Sequence, residues 1–318
     1  MSGKIEMATF VISNLNGIEN FNFENIRFEK LTSDTELEKQ WREQRYATFK
    51  AVADDNLDVK PIISNNGLIG VVDDICLLLS LALSSYVYCS LHTINETCYL
   101  GRVSHVSDVR GRRMVGHGKI EPFLNTAAST LRKPDWAEKT GFVPSTYFLR
   151  GANCSEFDDV AFMLSWIALE ILANAHSNEL GISYILPNTK FKKIVKPAIN
   201  RALSEIDKEN LTEKQKELIK DKVSELNRPS IRNKVRKLKD AYGCDFTTDK
   251  LFDDCNRLRN DIMHLGTYAG FNQHTLTDLS TRFRDSIQLA LIYLLGCSHC
   301  VPDLQGLKMK MKDDKTKK

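Results

Sequence analysis

The chain has 318 residues, of which 42% are hydrophobic and 27% charged, and its formal net charge is +3. This composition excludes a disordered or collagen-like chain, and the near-neutral balance excludes a basic coat over the whole surface. The length allows two domains of ordinary size, each with its own core.

Residues 1–31 alternate apolar and polar in places, as in FNFENIRFEK, and read as one or two strands. Residues 33–52 read as a helix, with acidic residues early and basic ones late as the helix dipole prefers. NNGLIG (65–70) signals a turn. The run ICLLLSLALSSYVYCSL (75–91) has 17 residues without a charge, but four serines interrupt it and two aspartates precede it. A buried core helix is the better reading, and no membrane span is expected. TCYLGRVSHVSD (97–108) suggests a strand, and GRRMVGHGK (111–119) a glycine-rich loop. Residues 1–135 therefore read as a mixed α+β domain.

Residues 136–154 lie in a stretch with two prolines, two glycines and little periodicity, and read as a linker. From 155 to 300 the pattern is helical. The helix over 155–175 is expected to start at Ser155 as N-cap with Asp158 as its capping-box partner, and Val160, Leu164, Ile167 and Ile171 form its expected core stripe. Amphipathic helices follow over 187–206, 212–226 and 229–242, with Pro229 in a first-turn position. The last two cover 247–264 and 276–296. The fold class is mainly α, an all-α C-terminal bundle behind a mixed α+β N-terminal domain. Residues 301–318 read as a basic, solvated tail.

The eight cysteines are scattered, and the N-terminus carries no secretory pattern, so free thiols in the cytoplasm are expected. CSHC (297–300) supplies at most half a zinc site and is expected to close the last helix. No metal or other cofactor is expected.

The chemistry concentrates in RLRNDIMHLG (257–266). Leu251, Cys255, Leu258, Ile262 and Leu265 recur at spacings of four and three, a buried stripe. Asn256, Asn260 and His264 share the opposite face, and the long stem of Arg259 can reach round to it. Met263 on this polar face suggests cover by a second copy of the protein. The residue types suit RNA cleavage without metal. A histidine titrating near neutrality can move protons at the ribose 2′-OH or the leaving 5′-oxygen. An arginine fork can hold the phosphate, and an asparagine can set the imidazole tautomer or touch the phosphate. Arg112 and His117 repeat the spacing within the glycine-rich loop, where no helix sets their geometry.

RNDIMH in the next-to-last helix, together with WIALE (166–170) in the first helix of the bundle, resembles the HEPN superfamily over about residues 155–297. The resemblance implies a metal-independent endoribonuclease, of the kind that acts as a toxin or in abortive infection and antiviral defence. Arg259 and His264 would be its catalytic pair, Asn260 its polar partner and Glu170 the acidic residue of the early helix. It also implies an RNA substrate, a homodimer with two motifs facing one cleft, and an antitoxin or phage-derived trigger as partner. The alternative is a HEPN module that binds a nucleotide or a protein without cutting. From the residues alone, Glu170 in an apolar run either meets a cation such as Arg259 or lies on an exposed helix edge. Arg228, Arg232, Lys234, Arg236, Lys237 and Lys239 make one helix basic, either an RNA path or a solvated face. The N-terminal region carries no assignable motif; by analogy of layout it would sense a trigger or restrain the nuclease.

Overall fold

The computed structural model describes residues 7–32, 34–45, 47–54, 60–64, 66–94, 97–100, 113–206, 212–242, 247–266 and 271–302. Most of the basic tail, Arg112 and the end of the segment read as a strand over 97–108 lie outside them.

The N-terminal half holds a six-stranded antiparallel sheet in the order β2-β3-β4-β1-β5-β6. Its strands are β1 (Met7–Ser13), β2 (Phe21–Phe23), β3 (Ile26–Lys30), β4 (Ala47–Asp54), β5 (Tyr88–Ile94) and β6 (Thr97–Leu100). Period-two alternation turns Phe10, Ile12, Phe28, Phe49 and Ala51 into one core face. Val11, Leu31, Ala47 and Leu91 form a smaller cluster behind the sheet with Trp41 of α1 (Glu36–Arg45). The helix expected over 33–52 therefore stops at Arg45. Beyond it Ala47 opens β4, where Phe49, Ala51 and Ala53 are buried and Lys50 stays half-exposed.

The apolar run 75–91 is divided between two elements. α2 (Gly67–Leu83) is buried along most of its length and ends at Ser84 in the left-handed region; β5 follows. Its neighbours are β5, α3 (Ile120–Leu131), α5 (Phe142–Cys154) and α12 (Gln273–Leu294). The one described helix long and apolar enough to cross a membrane is instead α6 (Asp158–Glu179), a central helix of the bundle packed against α5, α10 (Ile231–Tyr242) and α12.

The expected linker is helical. α4 (Trp136–Lys139) and α5 cover 136–154, and α5 buries Phe142, Leu149 and Ala152 against α6. The missed periodicity has a cause: Ser145, Thr146, Arg150 and Asn153 are polar yet buried, so α5 does not look amphipathic. The core runs through this segment without a break. Arg150 donates to the carbonyl of Val87 at 2.6 Å, and Gln288 of α12 accepts from Ser84 Oγ at 2.6 Å and donates to the carbonyl of Leu81. Gly141 turns α4 into α5 at φ 64°, and a Cβ there would stand 3.0 Å from Ala175 Cβ and 3.1 Å from Ile171 Cγ2. Gly141→Ala should lower stability by about 1–2 kcal/mol in urea denaturation.

α6 also departs from expectation. Ser155 ends α5; its hydroxyl accepts from the N–H of Phe157, and α6 begins at Asp158 without a side-chain cap. The stripe of Val160, Leu164, Ile167 and Ile171 is not the core face: Val160 is 44% exposed and the other three are half-buried. The buried face is Phe162, Ser165, Trp166, Leu169, Leu172, Ala173 and His176. A helix apolar on nearly every side cannot reveal its inner face by periodicity. α5, read as a linker, supplies the cover for Leu164 and Ile171 through Gly151 and Gly141.

The remaining helices are α7 (Asn188–Lys190), which runs through a π turn (Phe191–Val195) into α8 (Lys196–Ile206), then α9 (Glu213–Glu225), α10, α11 (Asp249–Leu265) and α12. Pro229 precedes α10 rather than sitting in its first turn, and Ser230 Oγ accepts from the N–H of Asn233. After α12, Cys297 and Cys300 are buried around a short 3₁₀ turn (Ser298–Cys300), and Gly116 N–H bonds the Cys300 carbonyl.

Candidate active site

α11 starts at Thr248, whose side chain accepts from the N–H of Leu251, and stops at Gly266 in the left-handed region. Leu251, Cys255 and Leu258 are fully buried, joined by Phe252. The stripe continues through half-buried Ile262 but not to Leu265, which is 68% exposed.

Glu170 and Arg259 do meet. Arg259 Nη2 lies 3.8 Å from Glu170 Oε1, and Arg259 Nη1 donates to Asn260 Oδ1 at 3.1 Å. The same Glu170 oxygen accepts from the indole N–H of Trp166 at 2.8 Å. The carboxylate is thus held from its own helix and offered to the next one. Arg259 keeps its Nε buried and without a hydrogen-bond partner, a donor left over for an incoming acceptor.

His264 is exposed one turn beyond Asn260, and no hydrogen bond joins the two among the described residues. It stands about 140° round the helix from Arg259. Asn256 is half-buried on the intervening face and Met263 is 55% exposed. One chain therefore gathers Arg259, Asn260 and Glu170, and leaves His264, Asn256 and Met263 outside that cluster. Of the second Arg–His spacing, Arg112 lies outside the described residues, and His117 Nδ1 lies 3.4 Å from Nη1 of Arg113.

Two participants were missed in the sequence: Trp166, which orients Glu170, and Asn174 of α6, which accepts from Lys234 Nζ at 2.6 Å. Lys234, named there only as part of the basic helix, reaches this edge of α6 from α10. The spacing of 166, 170 and 174 was the available signal, since residues four apart share a helix face. The rest of the basic helix is largely tied down. Arg232 pairs with Asp253, Arg236 with Asp249 at 3.2 Å, and Lys239 donates to the carbonyl of Thr247.

On the far side of α6, His176 is buried. Its Nδ1 lies 2.9 Å from the Leu172 carbonyl and its Nε2 2.6 Å from Tyr242 Oη. This fits a neutral ring that donates from Nδ1 and accepts from the tyrosine hydroxyl. Burial pushes the imidazole below its usual value and raises the Tyr242 hydroxyl to about 12. A native ring with the lower value binds fewer protons than the unfolded one. Its contribution is full above the unfolded value of about 6.5 and is lost as pH falls through that value toward the native one. His176→Gln should flatten the loss of stability between pH 7 and 5 in urea titrations; an unchanged slope would refute the assignment.

The seven described cysteines are free, and the described residues contain no group of three or more His, Cys, Asp or Glu that could hold a metal ion. The chain matches no family model, no curated protein and no solved structure.

Proposed function

We propose that the chain is a metal-independent endoribonuclease of the HEPN type, a defence or toxin effector that works in the cytoplasm. The carrying observation is the arginine cluster. Arg259 is aimed by Glu170 and Asn260, retains an unused buried donor, and lies on the same helix as an exposed imidazole. In this reading the 2′-OH of the preceding ribose attacks phosphorus and the bond to the 5′-oxygen breaks. Arg259 steadies the charge on the phosphoryl oxygens. One imidazole accepts the 2′-OH proton and another delivers a proton to the 5′-oxygen, leaving a 2′,3′-cyclic phosphate and a 5′-OH.

One chain supplies a single His264, and that residue lies away from Arg259 round the helix. A homodimer answers both points, because two copies bring two motifs to one cleft. Exposed Met263 and Leu265 beside the motif are apolar surface suited to that contact. The HEPN helical bundle, the RNA substrate and an antitoxin or phage-derived trigger belong to the same proposal. The separation of Arg259 from His264 within one chain also favours the second reading, a module that binds nucleotide or protein without cutting.

The deciding experiment is RNA cleavage by the full chain in EDTA, with the product ends identified. Cyclic phosphate ends support the nuclease. Strict dependence on Mg²⁺ would overturn it, as would inert protein whose expression has no effect on cells.

A further inference from the structure

Trp166, Glu170 and Asn174 form one edge of α6, each about 6 Å along the axis from the next. Cations from two other helices converge on that edge. Arg259 of α11 meets Glu170 at 3.8 Å, and Lys234 of α10 donates to Asn174 at 2.6 Å. We infer that this edge is a phosphate track for a single RNA strand: Lys234 binds the phosphodiester next to the one held by Arg259.

Three observations carry the inference. Lys234 is half-buried and bound to a neutral side-chain amide on the α6 edge, whereas Arg232 and Arg236 are neutralised by carboxylates of α11 and Lys239 donates to the Thr247 carbonyl. The charge of Lys234 stays available. Second, its surroundings favour an added anion. Burial and then the charge of Arg228 push the ammonium below its usual range, and only Glu170 pulls it back. A phosphate seated there would relieve both strains. Third, the spacing fits: the partners of the two cations, Glu170 and Asn174, stand one turn apart along α6, about 6 Å, comparable to the distance between neighbouring phosphates on an extended strand. Asn174 acts as a positioning residue, holding a flexible lysine stem in place before the strand arrives.

The inference rests on the nuclease reading for the identity of the polyanion, and the two can be tested apart. Binding of a short single-stranded RNA is measured by fluorescence anisotropy across a salt series, in a His264→Ala background that does not consume the probe. Lys234→Met should weaken binding several-fold and flatten the log–log salt dependence by about 0.7, the value for one lost phosphate contact on a single strand. Lys234→Arg should restore the slope. Lys250→Met, an exposed lysine about 180° round α11 from Arg259, should leave it unchanged. An equal slope for Lys234→Met and its parent overturns the track, as does an equal loss for Lys250→Met or the absence of RNA binding at low salt. If Lys234→Met does not fold, the slope with Asn174→Ala decides, because freeing the lysine should weaken binding less than removing it. Failure of cleavage by the wild-type chain together with no effect of its expression on cells, with the Lys234 slope change present, would overturn the nuclease and keep the track.

Discussion

On the proposed nuclease function, replacing His264 with alanine should lower RNA cleavage by about a thousandfold and leave the thermal midpoint unchanged. The magnitude follows from general acid–base catalysis, which contributes about 10²–10⁴-fold. The stability follows from exposure: the side chain lies in the last turn of α11 and carries no described hydrogen bond that folding would lose. Arg259→Ala should cost about 10²–10³-fold, the usual range for removing one donor from a developing oxyanion. Its effect on stability should differ, because it leaves Glu170 with Trp166 alone. Arg259→Lys keeps the charge but loses the fork, and should restore little activity. The measurement is single-turnover cleavage beside a melting curve for each variant. A His264→Ala protein that cuts at the wild-type rate would end the catalytic assignment; one that cuts slowly only because it has melted would show as a lowered midpoint.

Trp166→Ala should destabilise the protein by about 3–5 kcal/mol, the range for emptying a large aromatic site. Trp166 is 2% exposed, and its ring centroid lies 5.5 Å from Phe283, 5.8 Å from Phe252 and 6.3 Å from Phe162. These rings come from α12, α11 and α6, so the cavity would open where three helices meet. The damage reaches the site as well, because Phe252 lies two turns before Arg259 on α11. Trp166→Phe separates packing from polarity. It keeps most of the ring, removes the N–H that holds Glu170, and should cost about 1 kcal/mol. Urea denaturation of both variants checks the pair. A Trp166→Ala loss below 1 kcal/mol would mean that the three-helix junction collapses freely around the gap.

Local order along the chain set much of this architecture. The spacing of Leu251, Cys255 and Leu258 identified α11 and its buried side, since polar residues occupy its other faces. Gly266 marked its end, and the phase of the helix put Asn256, Asn260 and His264 on one patch. The same logic failed where a segment is not amphipathic. α6 is apolar on nearly all sides, so its inner face was decided by α5, α10 and α12. α5 itself carries buried Ser145, Thr146 and Asn153, and resembled a loop until its neighbours were known. Residues 47–54 followed a helix without a break and became a strand because β1 and β3 offered open hydrogen bonds on both sides.

The site divides in the same way. The sequence by itself determined which groups share α11 and that Glu170, in an apolar run, needed an explanation. Only the tertiary structure decided that Arg259 supplies it, that Trp166 aims the carboxylate, and that Lys234 arrives from α10. The physical reason is range. Periodicity and capping act over one or two turns and are written in neighbouring residues. Contacts such as Glu170–Arg259 join residues far apart in the chain and depend on how buried faces lock helices together, which no local pattern encodes.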